Sequence, residues 1–159
     1  MLVFYWLLPP TKVSRRADIR WAVIEEPEMG LHPRAISATL LLVLDLLARD
    51  YRVCISTHSP HVLDVVWALR VIRQHGADAS KVLDLFDVKP APNMKAMAEK
   101  VLEKEARVYY FDAKSGRARE ISDLDPASED AGEAGWGGLT EFSGRVADVV
   151  AGVVGGSAE

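Results

Sequence analysis

Two adjacent carboxylates, Glu25 and Glu26, close the apolar run Trp21-Ala22-Val23-Ile24, and a third acid, Glu28, follows one proline later. Acids placed at the carboxyl end of a strand differ in reach. One can face a hydrated magnesium ion, which keeps several waters and takes one or two protein carboxylates together with phosphate oxygens, while its neighbour orients an attacking water. On this reading Glu25 serves the ion and Glu26 the water. Phosphoryl transfer asks a protein mainly for position and charge neutralisation, so these residue types suit it. The plainer reading of the same stretch is a solvated acidic loop. A second polar group, Ser56-Thr57-His58-Ser59-Pro60-His61, ends another apolar run. An imidazole at His58, brought beside the acids, can hydrogen-bond a terminal phosphate and the attacking water. The plainer alternative is a strand-to-helix turn with Ser59 or Thr57 as the helix cap. His61, three residues on, reads as packing or cap.

Glu25, Glu26, Glu28, His32, His58 and His61 together also resemble a ligand list for zinc or iron. Their spacing argues against it. The pair His58 and His61 lacks the i, i+4 relation that puts two imidazoles on one helix face, and no cysteine pair exists.

For these residues to meet, the chain must fold in a particular way. The run ending at Glu25 reads as a strand buried on both faces of a parallel sheet. Pro33 is well placed as a first helical residue, and residues 35–48 are apolar on nearly every side, which predicts a buried helix. Residues 52–57 are rich in β-branched side chains and read as a second strand, followed by a helix over 60–74 that ends near Gly76. Strand, crossover helix and strand make a right-handed parallel βαβ unit. Both strands then end on one edge of the sheet, where ligands bind in open α/β folds, so Glu25, Glu26 and His58 are expected at one crevice.

The texture changes near residue 89. Pro90, Pro92 and Asn93 read as loop, 94–104 as helix, 107–111 as strand, Lys114-Ser115-Gly116 as a turn and 117–121 as the return strand. Residues 123–138 are acidic and glycine-rich and are expected to form an exposed loop. Apolar spacing at Phe142, Val146, Val149, Val150 and Val153 predicts a terminal helix over 139–154, with 155–159 frayed.

The 159 residues allow one domain with a core and a small appendage, and 49% hydrophobic against 26% charged residues is a globular balance. A net charge of -4 gives no overall basic footprint, so direct nucleic-acid binding by this chain is unsupported. Lys12, Arg15, Arg16 and Arg20 read as a solvated surface. Cys54 is the only cysteine, which excludes an intrachain disulfide, suits the reducing cytoplasm and reads as a small buried thiol. Residues 1–8 are apolar, but Pro9 and Pro10 stop them far short of the roughly 20 residues that cross a bilayer. No positive n-region or small-residue cleavage site makes them a signal peptide.

Ile24-Glu25-Glu26-Pro27-Glu28-Met29-Gly30-Leu31-His32-Pro33, followed by Ser56-Thr57-His58-Ser59-Pro60, resembles ABC-type P-loop ATPases of the OLD and RecF-like AAA kind. The first block is similar to their Walker B strand, catalytic glutamate and D-loop, the second to their switch-histidine loop. The resemblance covers about residues 21–64, and the order of elements agrees as far as Gly76. It implies a partial P-loop α/β core with a parallel sheet and flanking helices over 21–85, to which the change of texture adds a small α+β appendage over 86–159. It further implies ATP and magnesium as ligands, with Glu25 at the ion, Glu26 polarising the water and His58 sensing the γ-phosphate. Met29, Gly30, Leu31 and His32 would lie at a dimer interface. Glu25 stands where most ABC proteins carry Asp, which lengthens the reach by one methylene.

Two family features are missing from the sequence. No Gly-Lys-Ser or Gly-Lys-Thr occurs anywhere, hence no phosphate-cradling loop, and no Leu-Ser-Gly-Gly-Gln-like signature precedes the first block. In the family both lie upstream, so residues 1–20 resemble the remnant of the helix after the signature. An N-terminal polypeptide or domain bearing Walker A and the signature is the expected partner. A sheet with its N-terminal strands removed exposes an edge, so self-association is expected. The family acts in DNA repair, chromosome maintenance and phage defence; the competing reading is a binding module that has lost catalysis.

The isolated chain is therefore expected to show negligible ATP hydrolysis. Turnover by the purified chain without a partner, abolished by Glu26→Gln, would overturn that expectation.

Overall fold

β-branched Val23 and Ile24 beside Trp21 favour extended backbone, and they form β1 (Trp21–Glu25). A computed structural model of the chain describes residues 20–112 and 115–156. The described residues fall into two compact units, residues 20–57 with 72–104, and residues 58–71 with 105–156. The expected helix remnant lies almost wholly in residues 1–19, outside the described residues.

In the first unit β1 pairs in parallel with β2 (Arg52–Ser56), in register from Trp21↔Arg52 to Glu25↔Ser56. Arg52 N–H donates to Arg20 O at 2.7 Å and Glu26 N–H to Ser56 O at 2.8 Å, so backbone bonds continue beyond both ends of β1. Between the strands runs α1 (Pro33–Ala48), with Pro33 in its first turn, where a missing N–H costs nothing. Its apolar stripe of Ile36, Leu40, Val43, Leu44 and Leu46 is buried. The helix stops where Asp50 adopts φ 64°, with Tyr51 N–H donating to Leu46 O at 3.1 Å across the final turn. Lys104 pairs with Asp50 and holds its carboxyl below the ordinary range.

The same unit contains the last turn of α2 (Pro60–Gln74), then α3 (Ser80–Asp84) and α4 (Pro92–Leu102). α4 packs against α1 and α3, burying Met97, Ala98 and Val101, while α3 buries Val82 and Leu83. The sequence reading did not foresee α3. Asp78 starts it by accepting the Ser80 N–H at 2.8 Å. That bond, the Ser80 hydroxyl and Lys95 bring the Asp78 carboxyl down to about 2. Pro92 and Asn93, expected in a loop, form the first turn of α4, and the helix closes at Leu102.

Burial corrects two expectations. β1 is buried on one face only: Ala22 and Ile24 lie inside, while Trp21 and Val23 remain 57% and 66% exposed. Cys54, expected to be buried, is also exposed. In register with Val23, it shares the open face, because the parallel sheet among the described residues has two strands with one face covered. On that face the Arg52 guanidinium sits 5.5 Å over the Trp21 ring, a cation–π contact worth about 0.5–1 kcal/mol at an exposed site.

The second unit combines residues 58–71, which include most of α2, with an antiparallel hairpin of β3 (Tyr109–Asp112) and β4 (Arg117–Glu120). Its core is Leu63, Ile121, Leu124 and Trp136, with Val66, Val108, Tyr110 and Leu139 packed around it. Trp67 and Trp136 stack at a tilt with centroids 6.3 Å apart, and the Trp136 indole N–H donates to Leu124 O at 3.3 Å. Arg70 donates to Ser122 O at 2.6 Å and pairs with Asp123, tying α2 to the segment after β4.

Residues 123–138 are thus no exposed loop. Leu124 is fully buried and Trp136 nearly so, and a short helix, α5 (Ala131–Ala134), is capped by Asp130, which accepts the Gly132 N–H at 2.7 Å. Burying a large apolar side chain contributes about 1.5–3 kcal/mol, and two of them outweigh the solubility of the acids between. The terminal helix, α6 (Glu141–Gly156), starts two residues later than expected and retains Gly155 and Gly156; residues 157–159 lie outside the described residues. Among the described residues no helix is long and apolar enough to cross a membrane.

Gly137 has φ 69°, and a Cβ there would lie 2.5 Å from the Tyr110 ring, whereas Gly30, at φ 70°, has nothing within 4 Å. Gly137→Ala is expected to lose about 2–3 kcal/mol and Gly30→Ala about 1 kcal/mol, because only the first adds a clash to the backbone strain. Urea unfolding midpoints measure both, and equal losses would contradict the packing of Gly137 on Tyr110.

Candidate functional site

The carboxyl end of β1 carries the two acids. Glu25 is its last residue, exposed and in register with Ser56. Glu26 is half-buried and has left the strand: its N–H still reaches Ser56 O at 2.8 Å, but its φ is 42°. Left-handed backbone is uncommon outside glycine and costs about 1–2 kcal/mol. Such conformations concentrate at functional sites, where the surrounding structure holds them.

A tight loop follows. Met29 N–H donates to Glu26 O at 2.9 Å and Leu31 N–H to Glu28 O at 3.0 Å, with Gly30 supplying the positive φ between. Met29 and Leu31 are 71% and 41% exposed, so two apolar side chains stand on the surface beside the acids. His32 closes the loop as the N-cap of α1: its Nδ1 accepts the Arg34 N–H at 3.3 Å. The sequence reading placed His32 with Met29, Gly30 and Leu31 at an interface. Its capping bond is an additional role, and the signal for it was the proline that follows.

The two sides of the site are joined by a bond that sequence reasoning missed. The Thr57 hydroxyl donates to Glu28 Oε1 at 2.7 Å, across 29 positions of sequence. The sequence offers Ser59 or Thr57 as an alternative helix cap, and nothing in the spacing of Thr57 from Glu28 signals this bond. His58 is the next residue, exposed at the start of the second unit, and His61 lies in the first turn of α2. Burial raises the Asp64 carboxyl, and the nearby His61 pulls it the other way.

Glu25 and Glu26 offer hard oxygen donors of the kind magnesium prefers, and magnesium needs only one or two of them. Among the described residues no group of three or more His, Cys, Asp or Glu side chains is clustered to hold a metal by protein ligands alone.

Residues 2–64 match the protein-family model described as "AAA domain, putative AbiEii toxin, Type IV TA system". The match supports an AAA, P-loop type of ATPase. It spans β1, the loop, α1, β2 and the start of α2, and so includes Glu25, Glu26, Met29 to His32, and His58. No curated protein and no solved structure gives a significant match to the chain.

If the Glu26 backbone is held against its own preference, Glu26→Gly should raise stability by about 1 kcal/mol by removing that strain. Chemical unfolding of the two proteins tests this; a loss of stability would show that Glu26 sits in its turn without strain.

Proposed function

We propose that this chain is the C-terminal portion of an ABC-type ATPase of the OLD and RecF-like branch, hydrolysing magnesium-ATP once an N-terminal part supplies Walker A and the signature. The observation that carries the proposal is the AAA-domain match over the residues that bear the acids and the switch histidine. The strained backbone at Glu26, the acid assigned to the water, supports it. In this reading residues 21–85 form the catalytic half-core and 86–159 an appendage. DNA repair and phage defence are the processes such an ATPase serves.

The residues take distinct roles. Glu25, exposed at the strand end, would hold the magnesium ion, which when bound neutralises charge on the phosphates. Glu26 would accept a proton from the attacking water, and its fixed backbone limits the directions its carboxylate can take. His58 would donate a hydrogen bond toward the terminal phosphate. Met29 and Leu31, exposed in the loop with Gly30 and His32, would meet a second ATPase core. The sequence holds no Gly-Lys-Ser or Gly-Lys-Thr, so in this reading the phosphate-cradling backbone amides and lysine would come from the partner.

A second reading, an ATPase-derived protein-binding module, draws on the appendage. α6 exposes Phe142, Val149, Val150 and Val154, at 71%, 67%, 55% and 67%, along a single helix. Exposed apolar patches of this kind mark interaction surfaces.

Co-expression with the polypeptide encoding a G-x-x-x-x-G-K-S/T loop upstream of this chain separates the two. The ATPase reading expects hydrolysis that falls about 10²–10⁴-fold in Glu26→Gln, the range for loss of a general base. No hydrolysis, together with a partner retained after Glu26 and His58 are both replaced, would favour the binding module.

A further inference from the structure

We infer that Glu28 is a positioning residue: held by the Thr57 hydroxyl, its carboxylate fixes the left-handed turn that aims Glu26. The catalytic consequence rests on the ATPase reading above; the mechanical one does not. Glu26, at φ 42°, must be kept in a sparsely populated conformation by something other than its own preference. One contact is the backbone bond from Glu26 N–H to Ser56 O, 2.8 Å. That bond anchors the Glu26 end of the turn, two residues before Glu28.

Thr57, the next residue of the same strand end, supplies the second point by donating its hydroxyl to Glu28 Oε1 at 2.7 Å. Ser56 and Thr57 thus hold Glu26 and Glu28, two alternate residues of the loop, from one strand end. The turn bond from Met29 N–H to Glu26 O at 2.9 Å closes the segment between them. Acceptance by a carboxylate makes the Thr57 bond charge-assisted, roughly twice as strong as a neutral one. The bond is partly shielded from water, which strengthens it further. Glu28 therefore differs in task from its neighbours: Glu25 and Glu26 face the chemistry, and Glu28 sets where Glu26 points.

Amide hydrogen exchange on the full chain reads the mechanical part. Thr57→Val removes the donor with little change of shape and Glu28→Ala removes the acceptor. Each is expected to speed exchange of the Glu26 and Met29 amides about tenfold, while Ala22 and Ile24, whose amides face β2, stay protected. Thr57→Ser, which keeps the hydroxyl, should stay close to wild type, and Glu28→Gln, which keeps an acceptor oxygen without the charge, should fall between wild type and Glu28→Ala. Unchanged rates at Glu26 and Met29, or faster exchange throughout both strands, would overturn the positioning role. In the chain completed by its glycine-rich-loop partner, Thr57→Val should lower kcat without changing KM for magnesium-ATP, and Thr57→Ser should restore it. A change in KM alone would overturn the role in catalysis. If the wild-type completed chain hydrolyses nothing, the ATPase reading fails, and the exchange result alone decides whether Glu28 holds the turn.

Discussion

The candidate site depends on the parallel ladder between β1 and β2. Five register pairs put Glu25 opposite Ser56, and one further backbone bond carries Glu26 past the end of its strand while still tethered. A one-residue slip would turn every side chain of β1 over, moving Ala22 and Ile24 out of the core and Glu25 to the opposite face. Burial of those two small apolar residues against the covered face therefore does more than stabilise the sheet. It fixes which carboxylate stands where.

α1 supplies that cover, packing on β2 with α4 against it, and its packing explains the connection. A parallel pair cannot be joined by a tight turn; it needs a crossover, and a crossover helix with an apolar stripe returns the chain over the sheet. Leu40, Val43 and Leu44 form the stripe, Pro33 starts the helix, and the turn at Asp50 delivers Arg52 to the ladder. The second unit is organised differently, around one indole. Trp136 gathers Leu63 from α2 and Leu124 from the segment after β4, and its N–H satisfies the Leu124 carbonyl. A buried tryptophan is usually found with its N–H paired, because the ring is large enough to dominate a small core and its polar atom is costly to leave alone.

Much of this was legible in the sequence because local signals agreed with tertiary demands. β-branched residues in 21–25 and 52–56, Pro33 and Pro60 at helix starts, Gly76 after a helix and Gly116 in a hairpin turn each specify one local outcome, and the elements follow. What escaped had no local signature. α3 is five residues long, too short for periodicity, and depends on a single side-chain bond at Asp78. The segment 123–138 reads as solvated because its acids and glycines outnumber Leu124 and Trp136, although those two decide its burial. The open face of β1 was missed because an apolar run does not say how many of its faces are covered. At the site, adjacent acids at a strand end were visible as such. The backbone of Glu26 and the bond between Glu28 and Thr57 were not, since each exists only once the strands are paired.

Cys54 has a practical consequence. It is the chain's only thiol, it lies exposed, and it sits in register with Val23 in the middle of the open sheet face. This chain therefore carries a single addressable attachment point, two register positions before the Glu25–Ser56 pair. A fluorophore or spin probe coupled there senses whatever approaches that face. The same exposure means that purification without reductant invites covalent pairing of two molecules through this position.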